Sequence, residues 1–203
     1  ETLAATRDDA AGEAFDKVSK LLGLGYPGGP VIDRLAKQGN PKAIAVPRPM
    51  SSGSTLEMSF SGIKTYLASY VAREGRPQTE EKVADLCASF QCAVVDTLVR
   101  KTLAAAKQEG LSRVVLAGGV AANSGLRDGF RVACEKVGYS LVVPPMWACT
   151  DNAAMIAYAG AMLAVRGHSD QFDLAVSTIT AIRRATRRGG GPRDNPRRRK
   201  SGD

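Results

Sequence analysis

The residues best spaced to do chemistry gather around Val114–Arg127, which reads VVLAGGVAANSGLR. A β-branched apolar run ends in Gly118-Gly119, and Asn123 follows four residues later at the head of a helix-like segment. Strand, double-glycine turn and helix start let backbone approach a nucleotide. Glycine carries no Cβ, and a helix N-terminus offers free N–H groups at the positive end of its dipole. The same pattern also serves an ordinary strand-to-helix connection that needs a tight turn. Asp151, within CTDNAAMIAYAGAMLA, has two readings as well. Thr150 or Asp151 caps the helix that follows, or Asp151 is a carboxylate at the mouth of a crevice that binds a metal or polarises a substrate. Asp16 and Asp33 flank the Gly28-Gly29 turn on two N-terminal helices. Their spacing allows both to reach one ligand over that turn, for example ribose hydroxyls; otherwise they are solvated surface charges.

Other chemistries are excluded by what is missing. His168 is the only histidine and follows Arg166-Gly167 in a loop, so the chain has neither an HExxH pair nor a Ser-His-Asp set of its own. No Gly-Lys-Ser/Thr follows a glycine-rich run, so there is no P-loop. Cys87, Cys92, Cys134 and Cys149 form no CxxC. They read as small core residues in a reducing compartment, with no zinc site or disulfide framework.

The elements that must position these residues follow from periodicity. Asp8–Leu22 carries apolar residues at helical spacing and is stopped by Gly23 and Gly25. Pro30 suits the first position of a second helix, Val31–Gln38. Leu56–Phe60 reads as a strand, Gly62–Ala72 as a helix and Thr79–Glu109 as a long helix with Gly110 as its C-cap. A strand at Arg113–Ala117, a helix at Asn123–Lys136, a strand at Ser140–Val143 and a helix at Asp151–Val165 complete the pattern. Two strands linked by a crossover helix predict a parallel pair in an α/β layer, with ligands beyond their carboxyl ends. Asn123 and Asp151 then face one crevice.

At 203 residues, 44% hydrophobic and 24% charged, the chain suits one sizeable soluble domain or two small ones. No apolar run reaches the ~18–20 residues of a membrane span, and no basic-then-apolar leader argues for secretion. Residue 1 is Glu and a helix opens a few residues later, which predicts a piece of a longer polypeptide. The net charge is +8, and from Arg183 onward nine basic residues oppose Asp194 and Asp203, so this tail holds +7 of it. With Gly189-Gly190-Gly191-Pro192 and Asn195-Pro196, the tail at 181–203 is expected to be disordered. Its charge would attract nucleic acid by counterion release.

DDAAGEAFDKVSKLLGLGYPGGPVIDRLA, SFSGIKT, ASFQCAVVDTLVRKT, VVLAGGVAANSGLR and CTDNAAMIAYAG occur in one order between Asp8 and Gly167. Together they resemble the C-terminal part of the TsaD family, the tRNA threonylcarbamoyladenosine transferases once called O-sialoglycoprotein endopeptidases. The resemblance implies an α/β fold, the second lobe of an actin-like, Hsp70-type (ribonuclease-H-like) ATPase. Residues 1–180 would form the lobe, with a helical insertion at about 26–110. It also implies transfer of a threonylcarbamoyl group from threonylcarbamoyl-AMP to N6 of adenosine 37 in tRNAs reading ANN codons. The implied location is the cytoplasm, and the implied partners are tRNA, an inactive paralogue and a small ATPase, with no membrane.

Carried over residue by residue, the resemblance implies that Asp16, Gly29 and Asp33 hold the nucleotide part of the substrate. Asn123, with Gly118 and Gly119 before it, contacts the adenosine side. Asp151 is a ligand of one divalent metal, Fe or Zn. No covalent intermediate is needed, in keeping with the missing Ser or Cys nucleophile arrangement. The family's two other metal ligands, in an HxxxH motif, and its Ser-Gly-Gly-His phosphate loop belong to the first lobe and are absent here. One carboxylate holds a transition metal poorly, so the isolated chain is expected to be inactive and to bind metal weakly. The competing expectation is a non-catalytic nucleotide-binding or interaction module. A metalloprotease is disfavoured by the missing histidine pair.

Overall fold

Among the described residues, several helices begin or end where the sequence places caps and breakers. The computed structural model describes residues 2–51 and 55–169; the basic tail lies outside them. Helix α1 (Ala11–Leu22) ends at Gly23, whose φ of 73° lets its amide turn back to the carbonyl of Lys20. Helix α4 (Glu80–Gln108) starts at Thr79, whose hydroxyl accepts from the amide of Lys82 at 3.3 Å. Helix α3 is Ser61–Glu74, α5 is Ser124–Val137 and α6 is Ala153–Val165.

Two expectations need correction. Helix α2 is Gly28–Ala36, so Pro30 is its third residue instead of its first. The earlier start is possible because Asp16 accepts from the amide of Gly28 at 2.8 Å, satisfying an N-terminal donor. No strand forms at Leu56–Phe60: only Met58 pairs, in an isolated parallel bridge with Thr6. The ladder stops because the Asp8 carboxylate takes the amides of Phe60 (2.8 Å) and Ser61 (3.1 Å). The chain then turns into α3 with the Phe60 ring 1% exposed in the core.

Strands β1 (Arg113–Val115) and β2 (Ser140–Val142) pair in parallel, with Val114 opposite Leu141, and α5 is the crossover between them. The predicted α/β layer is therefore present, as a two-stranded sheet among the described residues. Its buried face packs Val114 against Leu126, Phe130 and Cys134 of α5, with Leu98 and Leu103 of α4 behind them. The larger core joins α1, α2, α3 and α4 around Phe15, Ile32, Ile63, Leu67 and Phe90, and the rings of Phe15 and Phe90 meet edge to face at 5.0 Å. Cys87, Cys134 and Cys149 are buried and Cys92 half-buried; all four are unpaired, as their spacing predicts. Burial pushes the Cys87 thiol up to about 12. No helix of the described residues is long and apolar enough to cross a membrane.

Candidate functional site

The Gly118-Gly119 turn leaves the carboxyl end of β1. Gly118 has φ 88° and ψ 171°, a conformation that a side chain resists, and its carbonyl accepts from Ala121 at 2.9 Å. Gly119 opens a short 3-10 turn, Gly119–Ala122. Its φ is outside the positive region, and a Cβ there would meet nothing within 4 Å. Gly29, at the start of α2, is equally open. The fold itself thus gives no reason for glycine at 29 or 119. Gly125 is different, because a Cβ there would lie 2.4 Å from Nε2 of Gln91.

The start of α5 differs from the expectation of free donors. Asp33 accepts from the amides of Ser124 (3.1 Å) and Gly125 (3.3 Å) and from the Ser124 hydroxyl (2.9 Å). Asn123 is the N-cap: its Oδ1 accepts from Leu126 N at 2.8 Å, and its Nδ2 donates to Gln91 of α4 at 2.8 Å. The donors of this helix N-terminus are thus matched from within the protein, and Asn123 is only 8% exposed. What remains open to a ligand here is the glycine turn beside the helix.

Asp16 and Asp33 are half-buried joints, which neither reading of their spacing anticipates. Asp16 ties α1 to α2 through Gly28, Asp33 ties α2 to α5, and Asn123 ties α5 to α4 through Gln91. The three side chains thereby bring Gly29 and the Gly118-Gly119 turn into one framework. Asp16 also lines an open cleft of about 550 Å³ with Glu13, Lys17, Lys20 and Tyr26. A larger groove of about 950 Å³, between α4, α5 and residues 46–51, contains none of the candidate residues.

Asp151 is not the helix cap. Asn152 caps α6, accepting from Met155 N at 3.1 Å, and Asp151 is left exposed just before it. It lies past the carboxyl end of β2, as Gly118 lies past that of β1, so both loops leave the same end of the parallel pair. Among the described residues no group of three or more His, Cys, Asp or Glu could hold a metal ion. Asp151 alone does not make a metal site. His168 is exposed, as expected.

SFSGIKT offers no chemistry that its sequence makes legible and reads as structural. In the structure Ser59 (2.5 Å) and Ser61 (2.7 Å) donate their hydroxyls to Asp8, alongside the two amides already described. Burial opposes ionisation of Asp8, but these hydroxyl and amide bonds outweigh it and hold the carboxyl well below the usual range. The sequence signal was two hydroxyl residues flanking a lone aromatic at a helix start, which wants an anionic acceptor. Nothing local said which residue would supply it.

A family model described as "TsaD: tRNA N6-adenosine threonylcarbamoyltransferase" matches residues 1–158. The tRNA N6-adenosine threonylcarbamoyltransferase of Sorangium cellulosum is 61% identical over 193 residues, covering 94% of this chain and 54% of its own length. The proteins of the same name from Bdellovibrio bacteriovorus and Geobacter metallireducens are 50% and 52% identical, each over about 85% of this chain and 51% of their own length. The chain spans about half the length of the curated relatives it matches.

Proposed function

Because the chain belongs to the TsaD family, we propose that it forms one wall of a site transferring a threonylcarbamoyl group from threonylcarbamoyl-AMP to N6 of adenosine 37 in tRNAs that read ANN codons. The observation that carries this reading is the open glycine pair. Gly29 and Gly119 have no internal reason to be glycine, and Asp16, Asp33 and Asn123 hold their two segments in one framework. Backbone bared in this way suits the flat face of a nucleoside. Asp16 and Asp33 act first by fixing the wall, and the adenylate then meets the glycine backbone.

In the reaction, N6 of the tRNA adenosine forms a bond to the carbamoyl carbon. The bond from that carbon to the AMP phosphate oxygen breaks, and N6 loses a proton. Among the described residues, Asp151 has no cluster of His, Cys, Asp or Glu beside it that could complete a metal site. Asp151 contributes one exposed carboxylate, and a divalent ion, Fe or Zn, would need further ligands from outside the described residues.

The finer architecture belongs to the same proposal: residues 1–180 as the second lobe of an actin-like fold, with an insertion at about 26–110, a reading supported by the run α2–α4, which holds no strand among the described residues. An opposing first lobe is supported by α6, which has no buried residue and exposes Ile156 (75%), Tyr158 (70%) and Val165 (84%). A helix this apolar wants cover. The partners in this reading are tRNA, an inactive paralogue and a small ATPase, and the four unpaired thiols support a cytoplasmic location.

The test is Asp151→Ala in the complete enzyme, this chain supplied with the remaining half of a relative. Loss of tRNA modification, with unchanged folding and lowered metal content, is expected. Retained activity would sink the role of Asp151. Adenine-nucleotide binding without turnover, even with both halves present, would instead establish a non-catalytic module. Stoichiometric, tightly bound Fe or Zn on this chain alone would overturn the expectation of weak metal binding.

A further inference from the structure

The 3-10 turn after β1, the first turn of α5 and the loop after β2 meet on one side chain. Arg127, half-buried on the first turn of α5, donates from Nε to the carbonyl of Ala121 at 2.5 Å, inside the 3-10 turn that follows Gly118. From Nη2 it donates to the carbonyl of Pro144 at 3.3 Å, just past β2, and to Sγ of Cys149 at 3.0 Å. Cys149 is 2% exposed, and its thiol reaches the carbonyl of Pro145 at 3.5 Å. It is the one buried residue between Glu135 and Ser169. The segment carrying Asp151 therefore has a single buried anchor, and the guanidinium is bonded to it.

We infer that Arg127 is a positioning residue that holds the Asp151 loop in register with the Gly118–Asn123 turn, so that the two strand ends present one surface. This rests on the reading of that turn and Asp151 as parts of one site. A guanidinium suits the task because its planar fork sends donors in several directions at once. The ammonium of lysine is a point charge on a flexible stem and does not span the same acceptors. Removing the fork leaves the carbonyls of Ala121 and Pro144 without this partner and frees the loop to drift from the glycine turn. Arg127 touches no reacting group; it acts through the placement of Asp151.

Two measurements decide the matter. In this chain, hydrogen exchange compares Arg127→Lys and Cys149→Ala with the unsubstituted protein. Cys149→Ala keeps the guanidinium and serves if Arg127→Lys does not fold. Amides of residues 146–152 are expected to exchange about tenfold faster while those of α4 keep their rates. Unchanged exchange at 146–152 in a folded variant would overturn the inference. In the complete enzyme, Arg127→Lys is expected to lower kcat about 10–100-fold, with KM for threonylcarbamoyl-AMP moving less than about threefold. In an Asp151→Ala background the same substitution should cost residual turnover nothing further, because the two act as a unit. Equal losses in both backgrounds would mark a general structural role and contradict the inference. Full activity in Asp151→Ala alone would defeat the underlying site reading, and the exchange measurement would still judge the clamp.

Discussion

Gly118 and Gly119 are adjacent and identical in type, yet they are glycine for different reasons. Gly118 is held at φ 88° and ψ 171°, a region nearly confined to glycine, so Gly118→Ala carries backbone strain of about 1–3 kcal/mol in the fold itself. Gly119 has no such conformation and open space around it, so Gly119→Ala should leave stability within about 0.5 kcal/mol. Its effect should fall on nucleotide binding, where an added methyl intrudes on the approaching ligand. Denaturant titration and adenylate binding, read side by side on the two variants, separate these outcomes; a stability loss in Gly119→Ala equal to that in Gly118→Ala would contradict the assignment. At this scale the sequence marks candidate residues by type and spacing but not what they touch. Asp16, Asp33 and Asn123 stand out by type and spacing, whereas their partners, Gly28, Ser124 and Gln91, are set by how helices distant in sequence cross. Arg127 carried no signal beyond its place at the end of VVLAGGVAANSGLR, because its three acceptors converge only once β1, α5 and the loop after β2 are assembled.

Elements were legible where a local rule decides them. Asn123 and Thr79 begin helices, Gly23 and Gly138 end them, and the strand-helix-strand order fixes the parallel pair. Leu56–Phe60 was not legible, because its apolar residues fit a strand and only the carboxylate of Asp8, some fifty residues away, ends the pairing. That carboxylate caps α3, and its depressed pKa links the element to pH. An aspartate in the unfolded chain titrates near 3.9. The group therefore contributes stability above about pH 4 that is lost as pH falls toward the folded value. Asp8→Asn should lower stability in denaturant titrations near pH 7, with the difference from the unsubstituted chain shrinking below about pH 4. A constant difference across that range would show that the carboxylate charge is not what holds the start of α3.

At the scale of the molecule, a well-packed helical core stands beside a two-stranded sheet and a last helix with no covered face. Val115 is 63% exposed and Val142 48% on the outer side of the sheet, and α6 continues the apolar surface. Sheets of two strands are marginal unless other elements cover them. The chain spans about half the length of its relatives, and in the proposed function the opposing lobe supplies that cover. Composition and periodicity did not foretell this exposed face, since an apolar helix reads the same whether its cover lies in the same stretch of chain or elsewhere. The face also bears on the proposed chemistry, in which the glycine wall and Asp151 form a cleft with an opposing lobe. The most direct measurement is the threonylcarbamoyladenosine content of tRNA, read by mass spectrometry after incubation with threonylcarbamoyl-AMP. The samples are this chain, the remaining half of a relative, and the two together after co-purification as a complex, each supplied with the relative's paralogue and small ATPase. The modified nucleoside is predicted in the third sample alone; a co-purified, folded complex that leaves the tRNA unmodified would contradict the account.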